Sequence, residues 1–231
     1  MKRRAFLFAM TAAVIPPVLA QSKAMKIGII GSGRIGSTFG GLWVKAGHEV
    51  MFSERDPEQS KRATDGLGPR ARVGSVPEAV AFGDAILIAV PYGALPAIAQ
   101  QVGGELKGKV VIDPNNPVPS RDGELGAQAK EKGAAVSTAA LLPGARLVRA
   151  FNSWGYATMA REAHRPAPRM AIPVAADDPA ALKLGMQLVS DAGFDPVAAG
   201  SLAASKAYDL GSSVSGKVMT ADEMRKALSL P

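Results

Sequence analysis

Residues 26–36 read KIGIIGSGRIG: a short apolar run, then Gly31, Gly33 and Gly36 at the spacing G-x-G-x-x-G. Glycines placed in this way bring backbone N–H groups against a phosphate. The first permits a tight turn, the second leaves room where a β-carbon would stand, and the third lets a helix pack closely on the preceding strand. The first turn of that helix carries N–H groups without intrahelical partners, and the helix dipole adds to their attraction for an anion. Gly31, Ser32, Gly33, Arg34, Ile35 and Gly36 are therefore candidates for cradling the pyrophosphate of a dinucleotide.

A second cluster follows about 20 residues on, where such folds read the adenosine ribose. A helix is expected over residues 35–46, ending at Gly47. A strand over residues 48–53 then delivers Ser53, Glu54 and Arg55. An acid at that strand end suits the ribose hydroxyls of NAD, whereas an arginine suits the 2′-phosphate of NADP. Both are present, with the Ser53 hydroxyl beside them. The reading leans to NADP(H) and leaves NAD(H) open.

These residues need a scaffold, and the rest of the chain supplies one. Strands are expected at 70–73, 85–90, 109–113, 146–151, 170–175 and 194–197. Helices are expected at 56–64, 77–82 (capped by Ser75), 94–102, 137–142 and 178–192, with closing helices at 200–209 and 221–228. Residues 123–133 read as a polar surface helix or loop, and 157–168 as an irregular excursion or lid. His48 and His164 read as turn and loop residues. Residues 85–90, AILIAV, are apolar without alternation, the mark of a strand covered on both faces. Alternating strands and helices imply an α/β fold, a Rossmann-type doubly wound parallel sheet with a small C-terminal elaboration. Ligands of such sheets sit at the C-terminal strand ends. There the sequence places Val90, Pro91 and Tyr92, then Asn115 and Asn116, as further cofactor-binding candidates.

Composition removes several kinds of chemistry. Without cysteine there is no disulfide framework or thiolate nucleophile, and two histidines argue against a zinc site. The net charge of +7 resembles a nucleic-acid signal, but Lys2, Arg3, Arg4 and Lys23 supply four of those charges in the first 24 residues. No basic run interleaved with aromatics appears, so no nucleic-acid partner is expected. Residues 1–24 read as a signal peptide. A basic start precedes an apolar run over 5–19 that Pro16 and Pro17 break, too short for a stable membrane span. Arg3-Arg4-Ala5-Phe6-Leu7 is similar to a twin-arginine export signal, which implies the periplasm. A start at Met25 would instead give a cytoplasmic protein. Residues 25–231 read as one NAD(P)-binding domain with a C-terminal acceptor-side portion, and a homodimer through that portion is compatible with the sequence.

Several blocks together resemble the coenzyme F420-dependent NADP oxidoreductase family: residues 25–50, the SERDPE segment, DAILIAVPYGAL, KVVIDPNNP, LLPGARLVRAFNSWG and the block from Asp177 to Leu202. In order and spacing they cover most of residues 25–210. The resemblance implies NADP(H) binding and hydride exchange with a deazaflavin (F420), a flavin or a similar planar small-molecule acceptor. It assigns Gly31 to Gly36 to the phosphate loop, and Ser53, Glu54 and Arg55 to the family's Gly-Ser-Arg segment for the 2′-phosphate. Val90 and Pro91 fall at the nicotinamide-side strand end, and Asn115, Asn116 and Pro117 on its Thr-Asn-Pro loop. Asn152, Ser153 and Trp154 fall beside the acceptor pocket, with Tyr156 following. Hydride exchange between two planar rings depends on orientation and desolvation more than on side-chain acids, and the chain shows no Ser-His-Asp set or metal cluster. No catalytic side chain is therefore assigned. Two alternatives stand beside this reading: a carbonyl or imine reductase using Tyr156 as proton donor, and an exported dinucleotide-binding sensor without turnover.

Overall fold

The computed structural model describes residues 23–54 and 56–231. Most of the expected signal segment, and Arg55, therefore lie outside the described residues. Among the described residues no helix is long and apolar enough to cross a membrane.

The chain opens on β1 (Lys26–Ile30), α1 (Arg34–Lys45), β2 (Glu49–Ser53), α2 (Pro57–Thr64), β3 (Ala71–Val73), α3 (Val76–Phe82) and β4 (Ala85–Ile88). A 3-10 turn at Tyr92–Ala94 leads to α4 (Leu95–Val102), β5 (Val110–Asp113), α5 (Pro119–Lys132), α6 (Ala134–Leu141) and β6 (Arg146–Arg149). Then come α7 (Tyr156–Glu162), β7 (Ala171–Val174), α8 (Pro179–Asp191), β8 (Asp195–Ala198), a 3-10 turn at Ala204–Tyr208, and α9 (Ala221–Ala227).

The six parallel strands of the main sheet lie in the order β3-β2-β1-β4-β5-β6. The order reverses between β1 and β4, so the crevice for a ligand opens at their C-terminal ends. The fold class expected from the sequence is thus the one observed. β4 is buried along its whole length, as its unbroken apolar run requires. One face of the sheet packs on α1 and α8, where the Trp43 indole donates to the Leu188 carbonyl at 2.9 Å. The other face packs on α3, α4 and α6. Local signals set the helix starts. Ser75 and Glu78 form a reciprocal capping box on α3, and Asp178 accepts from the Ala181 N–H to cap α8. β7 and β8 form a separate parallel pair, joined to the main sheet by an antiparallel bridge between Arg149 and Ala175.

Two expectations need correction and two are refined. Residues 157–168 are not wholly irregular, because α7 occupies Tyr156–Glu162 and buries Met159. The closing helix expected at 200–209 is only the 3-10 turn at Ala204–Tyr208. The polar segment 123–133 is the helical alternative of its reading: it belongs to α5, which starts at Pro119 and breaks at Gly123, where φ is 60°. His48, between the turn at 46–47 and β2 as expected, is fully buried, accepts from the Met25 N–H at 3.2 Å, and lies 3.1 Å from Asp191.

Candidate dinucleotide site at the strand ends

The three glycines of the β1–α1 loop do different work. Gly31 has φ of +94°, and a β-carbon there would stand 2.3 Å from the Ala89 carbonyl oxygen on the crossover from β4. At Gly36 a β-carbon would stand 2.0 Å from the Gly31 oxygen. Both are required by the protein's own packing. Gly33 is not: its φ of −67° is ordinary, and a β-carbon would meet nothing nearer than the Gln59 amide at 3.6 Å. Space lies in front of Gly33 where α1 begins without a side-chain cap. The first-turn N–H groups of α1 thus face a cradle that a β-carbon would partly fill, which fits a phosphate group.

Hollows open on either side of this cradle. One, of about 380 Å³, is lined by Gly31, Gly33, Glu54, Gln59, Val90, Pro91 and neighbouring apolar residues of α4. Gln59 donates to Glu54 at 3.3 Å there. An adjoining hollow of about 320 Å³ is lined by Ser32, Arg34, Ser37, Gln59 and Arg62. On the far side, a hollow of about 470 Å³ is lined by Arg34, Ile35, Ala89, Val90, Pro91, Pro114, Asn115, Asn116, Arg121, Phe151 and Trp154, with Gly33 at its rim.

Several candidate side chains are committed to the protein itself. The Ser53 hydroxyl donates to the Ile29 carbonyl within the sheet, and the Ser32 hydroxyl meets that of Ser60. Tyr92 is a correction: the 3-10 turn swings its ring into the core, where it donates to the Ala134 carbonyl, and its phenol is pushed up by burial. Asn115 spends its amide between strands, accepting from the Val90 N–H at 3.1 Å and donating to the Ile88 carbonyl at 2.7 Å. Asn116 donates to the Asn152 carbonyl at 2.6 Å. Asn152 and Ser153 are buried and both donate to the Tyr208 carbonyl, so they dock the C-terminal segment instead of facing the hollow. Trp154 does line it, its indole N–H held by the Lys217 carbonyl. Tyr156 is 37% exposed and carries the Arg34 guanidinium over its ring at 5.1 Å.

Sequence reasoning missed the group that organises the far side. Arg149, at the end of β6, is completely buried. Its guanidinium reaches Asp113 Oδ2 at 3.2 Å, Asp209 Oδ1 at 2.7 Å, Asn116 Oδ1 at 3.2 Å and the Asn115 carbonyl oxygen. Burial pushes the Asp113 carboxyl up from its usual range, against the pull of Arg149. The available signal was an arginine closing β6 after two apolar residues, opposite an aspartate closing its neighbour. Phe151, two residues on, has φ of 65°, unusual for a side chain of this size, and its ring stacks 4.1 Å from that of Phe39.

The fold is Rossmann-type, with a cleft at the strand ends of the kind that takes a dinucleotide. Residues 26–117, less than half of the chain, match the family model described as NADP oxidoreductase, coenzyme F420-dependent, which bears out the resemblance read from the sequence. The rat metalloreductase STEAP3 is 29% identical over 191 residues, 80% of this chain, and the chain spans only 36% of that relative. A hypothetical protein of Sinorhizobium meliloti superposes with a TM-score of 0.72 at 26% identity, over 87% of this chain and 97% of that one. An Arthrobacter protein provisionally assigned as an F420-dependent NADP-reductase gives 0.63 at 21% identity, over 79% and 88% of the two chains, a likeness of fold.

Proposed function

We propose that the protein is an NADP(H)-dependent oxidoreductase exchanging hydride between nicotinamide and a planar acceptor such as F420 or a flavin. One observation carries the reading. Among the described residues lining the far-side hollow there is no His, Asp, Glu, Lys, Tyr or Cys, only two arginines, two asparagines and apolar groups. Arginine keeps its protons at working pH. A hollow without a proton donor suits a ring acceptor that solvent can protonate, and it disfavours carbonyl or imine reduction.

The bound dinucleotide would supply the hydride. The α1 N-terminus and Gly33 would hold its phosphates, and the hollow by Glu54 and Gln59 would take the adenosine end. Arg34 and Arg62 line the adjoining hollow, which supports a 2′-phosphate on that side. Arg55 joins them by sequence. Pro91, Phe151 and Trp154 present apolar surface that excludes water where hydride would pass. NAD(H) remains the competing cofactor because of Glu54.

The test is to titrate the full chain with NADPH and NADH, then offer F420, FMN and a ferric chelate, the last because the rat relative is a metalloreductase. NADPH oxidation with F420 or FMN is the expected result. Oxidation by the ferric chelate alone would replace the acceptor. Binding without oxidation by any acceptor would favour a sensor. Tyr156 keeps the imine-reductase reading testable, since it sits beside Arg34 at the mouth. Tyr156→Phe is expected to leave turnover within about threefold, and a loss of about 100-fold would favour that alternative.

A further inference from the structure

Arg149 is buried at the C-terminal end of β6, beside the hollow and absent from its lining. It faces two carboxylates, so the cluster is one positive group against two acids, with Arg149 and Asp113 withdrawn from water and Asp209 partly exposed. Such clusters stabilise a core poorly compared with apolar residues of the same volume, and their best-attested use is to fix one geometry.

The geometry fixed here is that of the turn after β5. Arg149 holds the Asn115 carbonyl and the Asn116 Oδ1, while Arg121 holds the Asn116 carbonyl at 2.9 Å from the outer side. Asn116 Nδ2 reaches the Asn152 carbonyl, joining the turn to the segment after β6. The partner carboxylate Asp209 comes from the C-terminal segment, where its second oxygen accepts from the Ala134 N–H at 3.0 Å. Two distant stretches of chain, 113–116 and the C-terminal segment at Asp209, meet on one guanidinium, and Asn115 and Asn116 both line the hollow.

We infer that Arg149 is a positioning residue for the hydride-exchange side of the cleft: through Asn116 and the Asn115 carbonyl it sets the wall that orients the nicotinamide, leaving the adenosine side untouched. This rests on the function proposed above. Lysine keeps the charge but lacks the planar fork, and it cannot hold these partners together.

The experiment compares the unaltered full-length protein with Arg149→Lys and with Asn116→Ala, whose side chain is only half-buried. Each is titrated with NADPH, followed by reduced-nicotinamide fluorescence, and with 2′-phospho-ADP-ribose, which lacks the nicotinamide. Both variants are expected to bind 2′-phospho-ADP-ribose within about threefold of the unaltered protein. The nicotinamide emission change should be lost, and kcat should fall about tenfold or more at nearly constant KM for NADPH, since small misplacements cost rate steeply. Equal weakening of both ligands, or unchanged emission and turnover, would overturn the inference. Should Arg149→Lys fail to fold, Asn116→Ala decides. If the unaltered protein binds dinucleotide but reduces no acceptor, the emission comparison decides without turnover. If it binds neither ligand, the proposed function falls first and this inference with it.

Discussion

The two sides of the cleft are made of different material. On the nucleotide side the working surface is backbone: an uncapped helix start, one glycine with open space before it, and two glycines that let the loop close. On the proposed acceptor side the surface includes Asn115 and Asn116, held from behind by Arg149 with Asp113 and Asp209. A backbone cradle is fixed by a few neighbouring residues and recognises what every dinucleotide shares. A side-chain wall gathered from three parts of the chain can change with the acceptor. The contrast predicts that damage on one side is separable from damage on the other.

The largest effect should come from removing the centre of the side-chain wall. Arg149→Met leaves two carboxylates without their cation and should cost about 3–5 kcal/mol, read as a lowered urea midpoint. Next come the glycines, which should divide by role. Gly36→Val drives a side chain onto the Gly31 carbonyl and should cost about 3 kcal/mol together with cofactor binding. Gly33→Ser places a good N-cap residue at an unstrained position, so stability should stay within about 0.5 kcal/mol while NADPH affinity falls about tenfold or more. Equal loss of stability in the two variants would break the distinction between packing and ligand-facing glycines.

That distinction also shows what the sequence made legible. Strand, glycine loop, helix and the acid–arginine pair after β2 all fall within residues 26–55, and their spacing alone carries the reading. Arg149 meets partners 36 and 60 residues away, and no local pattern announces them. The same reason misplaced Tyr92 and Asn152. Each stands at a strand end, as expected, but whether an amide or phenol faces the cleft or its own core depends on long-range neighbours.

Acid should loosen the acceptor side. Arg121, with the Val118 and Gly93 N–H groups, holds the Asp122 carboxyl down to about 2. A carboxylate depressed in the folded state contributes stability in full above its ordinary pKa of 3.8, and loses that contribution as pH falls towards 2. Asp113 works with the opposite sign: burial raises it, so its ionisation costs stability as pH rises. Urea midpoints at pH 6 and pH 3 should therefore converge in Asp122→Asn relative to the unaltered protein. The smallest effect is on cofactor choice. Arg55→Ala and Arg62→Ala should each weaken NADPH about three- to tenfold with NADH little changed, the size expected of exposed charge contacts, and equal weakening of both cofactors would remove the 2′-phosphate assignment.

The most direct test of the account is a titration of the full-length protein with NADPH and NADH, followed by addition of F420 and then FMN while the reduced-nicotinamide absorbance is recorded. The account predicts saturable binding of NADPH and loss of absorbance when one of the planar acceptors arrives. Absence of binding by either dinucleotide would contradict it, because the open cradle at Gly33 would then have no phosphate to hold.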